Sequence, residues 1–244
     1  IRYRYITNYF DITSSNTTLT LINSIPVIEI KSTSLENWWR VWKRIFDILL
    51  SLIFIILCIP IFIITALAIK FEDPSAPVIF KNKRVGIKGK SFSLYKFRYL
   101  QWKYCTIDGD STALKYEQEL IKKKSKRKWP LYKIENDPRK SRIWAFIEKY
   151  SIDELPQLFN VLIGNMSLIW PRPHQPREVD KYEIYQKRVL TIKPWITGMG
   201  QINGRDENTF EKEVKLDIFY IENWSLLLDL KILLKTLPII LQRK

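Results

Sequence analysis

The feature that most constrains this chain is an apolar run in its N-terminal third. Residues 48–69 contain no charged side chain. A helix needs about 20 apolar residues to cross the hydrocarbon core of a bilayer. A buried core helix of this length without a polar face would be unusual in a chain of 244 residues. The run therefore predicts a membrane-inserted helix, which we place at residues 41–70.

The path of this helix through the membrane depends on Pro60, near the middle of the run. Proline removes a backbone hydrogen bond and favours a kink. Basic residues flank both ends of the run, namely Arg40, Lys43 and Arg44 before it and Lys70, Lys81, Lys83 and Arg84 after it. Because positive charge marks the cytoplasmic side, a re-entrant helix broken at Pro60 satisfies both flanks. A kinked single span is the alternative, since membrane helices tolerate proline.

The charge balance restricts the partners of the chain. Forty Lys and Arg residues against 25 Asp and Glu residues give a formal net charge of +15, which calls for nucleic acid, anionic lipid or a phosphorylated substrate. There are two cysteines, and Cys58 lies inside the apolar run, so a reducing compartment fits better than a disulfide framework. His174 is the only histidine, which gives little support to a zinc site or a Ser/His/Asp triad.

A β-hairpin is predicted behind the apolar run, at residues 78–85 and 91–98 with a glycine-containing turn between them. Strand alternation places Lys96 and Arg98 on one face. There they either protect a solvated edge or hold a phosphate near the membrane surface. Further on, the basic run at residues 122–128 predicts a solvated loop, with docking on anionic lipid as the alternative.

Two adjacent carboxylates, Asp153 and Glu154, open a second apolar stretch. In a structural interpretation, Ser151 is the N-cap of a helix and Glu154 completes a capping box. The stripe that this helix would bury consists of Leu155, Leu158, Phe159 and Leu162. In a chemical interpretation, the helix start holds a carboxylate ionised, as suits a nucleophile or a metal ligand. The two side chains point about 100° apart on a helix, so they would have different roles.

Two later segments carry cations on constrained backbone. Prolines on both sides hold Arg172 on a stiff, extended chain, which suits bidentate phosphate binding. Residues 197–206 contain three of the seven glycines and also Arg205, so their backbone N–H groups can approach a ligand closely.

Taken in order over residues 40–241, these features resemble the bacterial sugar transferase family, the monotopic polyprenyl-phosphate phosphoglycosyl transferases. The segments that carry the resemblance are Lys43-Arg44-x-x-Asp47, Tyr95-Lys96-Phe97-Arg98, Asn136-Asp137-Pro138-Arg139, Ser151-Ile152-Asp153-Glu154-Leu155-Pro156-Gln157, Pro171-Arg172-Pro173, Gly198-x-x-Gln201-x-x-Gly204-Arg205 and Tyr220-Ile221-Glu222-Asn223-Trp224-Ser225. Each motif is weak by itself, but their combination is specific. The fold expected is α+β and mainly helical, with a re-entrant membrane helix, a small β-hairpin or sheet and amphipathic interfacial helices.

The resemblance also implies an activity. In this family a sugar 1-phosphate moves from a nucleoside diphosphate sugar to a membrane polyprenyl phosphate and starts glycan assembly, with release of a nucleoside monophosphate. It implies that Asp153 is the nucleophile of a covalent phosphosugar intermediate and that Glu154, with Asp153, holds Mg²⁺. The residues that would bind the substrate phosphates are Lys96, Arg98, Arg172 and Arg205.

The partners that follow are a nucleoside diphosphate sugar, expected to be a UDP-sugar, an undecaprenyl-type polyprenyl phosphate and the membrane. The catalytic domain is expected on the cytoplasmic face of the bacterial inner membrane. No nucleic acid partner is expected, and homo-oligomerisation is left open. No motif indicates which sugar is transferred.

The chain departs from the family pattern at several positions. Glu148 stands where the family usually has Arg, five residues before Asp153, and Ile59 replaces the usual Ser before the membrane proline. The tryptophans that stand where relatives usually carry glycine are Trp129, Trp144, Trp170 and Trp195. We hypothesise that the source organism reads UGA as glycine and that these tryptophans are mistranslations of the gene. Mass spectrometry of the natural protein that finds Trp at position 170 would refute this.

The sequence divides into four parts. Residues 1–40 are expected to be a linker or the end of an upstream domain, residues 41–70 the membrane-inserted helix broken at Pro60, and residues 71–220 the catalytic domain. Residues 221–244 form a C-terminal amphipathic helix, either interfacial or packed on the core. Two alternatives to the enzyme are a catalytically impaired membrane scaffold of the same family and a membrane-tethered nucleic-acid binder. The second lacks the aromatic and basic strand motif of RNA-binding sheets.

Overall fold

A computed structural model describes residues 3–5, 17–22, 25–30, 38–105, 111–125, 132, 134, 136–140, 142–169, 172–183, 186–204 and 208–241. The helices are α1 (Trp38–Glu72), α2 (Ser111–Lys124), α3 (Arg142–Lys149), α4 (Gln157–Ile163), α5 (Pro176–Val179), α6 (Met199–Ile202), α7 (Phe210–Glu222) and α8 (Leu226–Leu241). The strands are β1 (Tyr3–Tyr5), β2 (Thr17–Ile22), β3 (Ile25–Ile30), β4 (Ile79–Val85), β5 (Ser91–Phe97), β6 (Ser167–Ile169) and β7 (Trp195–Thr197). The predicted mainly helical α+β fold is confirmed at this level.

The strands form three small sheets. Strands β1, β3 and β2 lie side by side in that order and are antiparallel, whereas β6 and β7 pair in parallel. The predicted hairpin is confirmed as β4 and β5, with Ile79 opposite Phe97 and Val85 opposite Ser91. Its turn places Lys88 and Gly89 at φ angles of 55° and 75°, a conformation that glycine adopts without steric cost.

Helix α1 contains the apolar run and is continuous over 35 residues, with Pro60 in its interior. Among the described residues it is the one helix whose length and composition suit a membrane span, and 11% of its most apolar 18-residue window is buried. The predicted interruption at Pro60 is therefore absent from the helix bounds. Helical hydrogen bonding continues on both sides because proline removes only one donor. The re-entrant course remains a prediction.

Both halves of α1 pack against the same short helix, α4. In the N-terminal half, the Arg44 guanidinium donates to the carbonyl oxygens of Val161 and Leu162 at 2.5 and 2.9 Å. In the C-terminal half, the ring of Phe62 lies 5.7 Å from that of Phe159. Both halves of α1 are thus held against one folded body.

A buried polar network fixes the N-terminal end of α1. The Lys43 ammonium lies 2.7 Å from Asp47 on the same helix and 3.0 Å from Asp229 on α8. Asp229 also accepts hydrogen bonds from Tyr220 and Trp224. Through Asp229, the motif of Lys43 and Asp47 and the motif of Tyr220 and Trp224 therefore join the start of α1 to α7 and α8.

The helix predicted at residues 221–244 corresponds to α8, which begins only at Leu226 because Asn223, Trp224 and Ser225 separate it from α7. The Ser225 hydroxyl accepts a hydrogen bond from the Leu228 N–H at 3.1 Å and so caps the start of α8. One side of α8 packs inward through Asp229 and Ile232. The opposite side exposes Leu227, Leu230, Leu234 and Leu237. Its location at a membrane interface stays a prediction.

The basic run at residues 122–128 begins inside a helix. Lys122, Lys123 and Lys124 form the last turn of α2, where cations interact favourably with the helix dipole. The predicted loop is therefore wrong for these three residues, and residues 126–128 lie outside the described part of the chain.

Candidate active site

A cleft of about 280 Å³ lies between the β4–β5 hairpin, the Asp153–Glu154 turn, the segment after Arg172 and helices α6 and α7. The cleft contains both kinds of group that the motifs predicted. Asp153 and Glu154 form part of one wall, and Lys96 and Arg172 also line it.

The two carboxylates lie on a 3₁₀ turn rather than in the first turn of an α-helix. The turn spans Ile152–Glu154, and α4 begins at Gln157, just after Pro156. The predicted capping box is wrong: Ser151 has a φ of 55° and its side chain makes no capping hydrogen bond. An N-cap residue needs extended backbone angles to direct its side chain at the helix N–H groups, and the left-handed conformation of Ser151 prevents this.

The stripe predicted behind this turn is only partly buried. Leu158 is buried, but Phe159 is 41% exposed, although its ring packs on that of Phe62 in the apolar helix α1. The side of α4 that carries Phe159 is therefore contacted by the membrane helix, and this contact brings α1 close to the carboxylate turn.

Lys96 on β5 joins the two carboxylates. Its ammonium nitrogen lies 3.0 Å from Asp153 Oδ2 and 3.3 Å from Glu154 Oε1. Burial by itself would lower the pKa of Lys96, but the charges of Asp153 and Glu154 raise it above its ordinary value. Lys96 therefore stays protonated and supplies a fixed positive charge beside both carboxylates.

Asp153 is almost completely buried, with 4% of its surface exposed. Its pKa is raised to about 6, mainly by burial and also by Glu154 and Glu148, against the opposing effect of Lys96. Near neutral pH the carboxylate is thus ionised yet poorly solvated, a condition that favours nucleophilic attack.

Glu148, the unusual residue before the site, also lines the cleft. Its carboxylate forms an ion pair with the Lys140 ammonium. The charge reversal relative to the family pattern is therefore partly offset by a cation in the same wall.

The structure brings together two of the four predicted phosphate-binding cations. Lys96 and Arg172 line the cleft, whereas Arg98 is buried below the hairpin. There Arg98 pairs with Asp73 at 2.9 Å and donates to the carbonyl oxygen of Pro77 at 3.0 Å. These contacts hold the Arg98 guanidinium away from the cleft lining. Arg205 lies outside the described residues, and its role stays a prediction.

Arg84 is a cleft residue that the sequence did not single out. It lies on β4 opposite Phe92, and its Nε is buried without a hydrogen-bond partner among the described residues. Burial and the nearby Arg172 lower the pKa of the Arg84 guanidinium to about 10, whereas Glu178 raises it. An unsatisfied buried guanidinium that lines a cleft is suited to an anionic ligand. The sequence feature that points to Arg84 is its place on the predicted hairpin. Its charge was assigned only to the basic flank of the apolar run.

Overall the described lining is not basic, although the chain is. Its cationic residues are Arg84, Lys96, Arg139, Lys140, Arg172 and Arg177. Its acidic residues are Glu117, Asp137, Glu148, Asp153, Glu154, Glu178, Glu213 and Asp217. With more acids than bases, this cleft suits a phosphate ligand that arrives together with a cation.

Asp153 and Glu154 fit the predicted Mg²⁺ only in combination with a substrate. Within the described part of the chain, no group of three or more His, Cys, Asp or Glu side chains is arranged to hold a metal. Proteins commonly bind Mg²⁺ through one or two carboxylates and complete its shell with substrate phosphates and water. Two adjacent carboxylates in a cleft with arginines meet this pattern.

The tryptophan hypothesis falls outside what the structure describes. Trp129 and Trp170 are not among the described residues, and the side chains of Trp144 and Trp195 are likewise not described. The proposal that these four are glycines in the natural protein stays a hypothesis.

Comparison with known proteins identifies the family. Residues 38–243 match the model of the bacterial sugar transferase family, and the chain belongs to that family. It is 40% identical over 206 residues to galactosyl transferase CpsE of Streptococcus agalactiae. The matched region covers 82% of this chain and 42% of the relative.

Two further relatives have names that state a reaction. The chain is 36% identical over 233 residues to the undecaprenyl-phosphate galactose phosphotransferase of Salmonella typhimurium, covering 93% of this chain and 47% of the relative. It is 35% identical over 223 residues to the UDP-glucose:undecaprenyl-phosphate glucose-1-phosphate transferase of Klebsiella pneumoniae, covering 88% and 43%. The chain thus spans less than half the length of these relatives.

Proposed function

We propose that this cleft transfers a sugar 1-phosphate from a UDP-sugar to a polyprenyl phosphate through a covalent intermediate on Asp153. The observation that carries the proposal is the buried Asp153 carboxylate, paired with Lys96 beside Glu154 in a cleft that also holds Arg84 and Arg172. A nucleophile, a fixed cation and phosphate-binding guanidinium groups are what phosphoryl transfer requires of a protein.

In the first step, an Asp153 carboxylate oxygen attacks the phosphorus that carries the sugar. The bond from this phosphorus to the bridging oxygen of the diphosphate breaks, and the oxygen leaves on the nucleoside monophosphate. The product on the protein is a mixed anhydride between Asp153 and the sugar phosphate. The Arg84 and Arg172 guanidinium groups stabilise the charge on the leaving phosphate.

In the second step, a phosphate oxygen of the polyprenyl phosphate attacks the same phosphorus. The bond to Asp153 breaks and the carboxylate is regenerated, which leaves a polyprenyl diphosphate sugar. Lys96 favours this step because it stabilises the carboxylate as a leaving group.

Glu154, together with Asp153, would hold Mg²⁺, which when bound neutralises diphosphate charge. In the structure, the Lys96 ammonium contacts both carboxylates. The acidic excess of the lining supports a need for such a cation when an anionic donor binds.

We also propose that α1 enters and leaves the cytoplasmic membrane by its cytoplasmic face. Arg44 and Phe62 lie 18 positions apart on α1, yet both contact α4. Basic residues at both ends favour the same side, and the exposed apolar surface between them includes Leu57, Ile63 and Ile64. This location places the carboxylate turn where a lipid phosphate can reach it.

The names of the relatives support the donor and acceptor classes, since the Klebsiella relative is named for UDP-glucose and undecaprenyl phosphate. The impaired scaffold rested on Glu148 and Trp170. It is not favoured, because Glu148 is paired with Lys140 and relatives of the chain are named as transferases.

The direct test is Asp153→Asn in the detergent-solubilised full chain. We expect nucleoside monophosphate release from a UDP-sugar to fall by at least about 10³-fold, because an amide is a poor nucleophile, while UDP-sugar binding persists. Wild-type protein given a UDP-sugar without acceptor should gain one sugar phosphate on the peptide that contains Asp153, detected by mass spectrometry.

The matched control is Asp180→Asn, an exposed aspartate at the end of α5, which should keep wild-type turnover. Unchanged turnover in Asp153→Asn would remove this residue from the chemistry. A panel of UDP-sugars in the same assay identifies the donor.

A further inference from the structure

Asp217 on α7 is a buried carboxyl group that the reaction described above does not use. Only 6% of its surface is exposed, and that surface faces the cleft. It makes no hydrogen bond or ion pair among the described residues. A buried polar group without a partner is unfavourable, so the isolation of Asp217 calls for an explanation.

The other buried aspartates of the described chain all have partners. Asp47 accepts from the Ser167 hydroxyl at 2.7 Å, Asp153 from Lys96 at 3.0 Å, and Asp229 from the Tyr220 hydroxyl at 2.5 Å. The isolation of Asp217 is therefore not a general feature of carboxylates in this fold.

The charges around Asp217 do not compensate for its burial. Burial raises the pKa of Asp217 well above its ordinary value, Glu213 raises it further, and only Arg172 lowers it. Glu213 precedes Asp217 by one helical turn and lines the same cleft. A second phosphate at this end of the cleft would meet two carboxyl groups, so this end is unsuited to phosphate.

We propose that Asp217 binds a hydroxyl group of the nucleotide sugar, on either the transferred sugar or the ribose. A carboxyl group can accept a hydrogen bond from a hydroxyl and, when protonated, also donate one. The proposal rests on the proposed function, since Arg172 in the same cleft is there assigned to the phosphates. It would make Asp217 a determinant of donor recognition, for which the chain carries no recognisable sequence motif.

The experiment measures binding of UDP-glucose, UDP-galactose and UDP to the detergent-solubilised chain by titration calorimetry. We expect Asp217→Ala to bind at least one of the two UDP-sugars about 10- to 100-fold more weakly than wild type, as for a lost hydrogen bond to a buried polar group. If UDP binding is unchanged, the hydroxyl belongs to the transferred sugar; an equal loss with UDP assigns it to the ribose. Asp217→Asn, which keeps the hydrogen-bonding capacity, should lose less than Asp217→Ala.

Thermal unfolding separates binding from a structural role. Because Asp217 has no partner to lose in the described part of the chain, its Ala variant should have a Tm equal to or above that of wild type. The control is Glu211→Ala, an exposed acid on the same helix, which should change neither Tm nor binding. Wild-type affinity for all three nucleotides in Asp217→Ala, or a Tm clearly below that of Glu211→Ala, would overturn the inference.

Failure of the proposed function gives a different result. If the wild-type chain binds none of the three nucleotides and releases no nucleoside monophosphate, the proposed function fails and the Asp217 assignment falls with it. If the wild-type chain binds and turns over a UDP-sugar, and Asp217→Ala binds equally well, only the Asp217 assignment is wrong.

Discussion

At the scale of single residues, Lys96 is the side chain whose role the structure changes most. Its position in the sequence predicted contact with a substrate phosphate, but the Lys96 ammonium pairs with Asp153 and Glu154. It therefore acts first on the proposed nucleophile, by opposing the increase in pKa that burial imposes on Asp153.

The first prediction concerns pH. The pKa of Asp153 is about 6, and in the proposed mechanism only the ionised form attacks phosphorus, so turnover should fall as the pH drops through about 6. Lys96→Met removes a cation that favours ionisation and should move this acid limb upward by about 1 pH unit or more. Initial rates of nucleoside monophosphate release from pH 5 to 8 measure both effects. Lys115→Met, at an exposed position on α2, is the control, and an unshifted limb in Lys96→Met would contradict the pairing.

The second prediction separates two arginines on the hairpin. Arg84→Gln should weaken UDP binding about tenfold with little change in Tm, because the Arg84 Nε has no hydrogen-bond partner among the described residues. Arg98→Gln should leave the cleft residues in place but lower the Tm, because it removes the hydrogen bonds of a buried guanidinium to Asp73, Pro77 and Leu100. Calorimetry and thermal unfolding of both variants test this, and the reverse pattern would restore Arg98 to the phosphate site.

At the scale of elements, sequence patterns predicted the structures that depend on residues adjacent in the chain. The hairpin was predictable because its two strands and its turn are contiguous. The capping box failed because the φ of Ser151 is set by the junction between α3 and the carboxylate turn. A capping box does form at α5, between Gln175 and Glu178, at a position for which none was predicted. Arg84 and Asp217 reach the cleft through tertiary packing, which spacing along the chain does not encode.

The third prediction belongs to the junction of α1, α7 and α8. Asp229→Ala removes a charge partner of the buried Lys43 and the acceptor for Tyr220 and Trp224. We expect a loss of about 3–5 kcal/mol in the free energy of unfolding, as for other broken buried pairs, and a Tm lower by roughly 6 °C or more. Thermal unfolding in detergent measures this, with Asp180→Ala as the exposed control. A wild-type Tm in Asp229→Ala would show that the network does not hold the helices together.

At the scale of the whole molecule, apolar surface and charge are distributed unevenly. The exposed apolar residues concentrate on α1, and on α8 they form one stripe of leucines. The cleft holds more acidic than basic side chains, so much of the net charge of +15 lies outside it, where it can meet anionic lipid.

The fourth prediction concerns membrane topology. In a variant without its two native cysteines, single cysteines at the exposed positions Arg40 and Glu72 should both react with an impermeant maleimide from the face that carries the cleft. A cysteine at Lys115 on α2 marks that face. Labelling of the two ends from opposite sides of sealed vesicles would establish a single span and rule out the re-entrant course.

The Lys96 bridge has a thermodynamic consequence for the order in which ligands act. A divalent cation that arrives alone must compete with an internal ammonium already paired with Asp153 and Glu154. A diphosphate that draws Lys96 toward itself weakens that competition and so raises the affinity of the carboxylates for the metal. Linkage requires the metal to raise the affinity for the diphosphate by the same factor. The cleft would therefore bind the metal alone or the diphosphate alone weakly. It would bind a divalent cation tightly only when a nucleotide is also present.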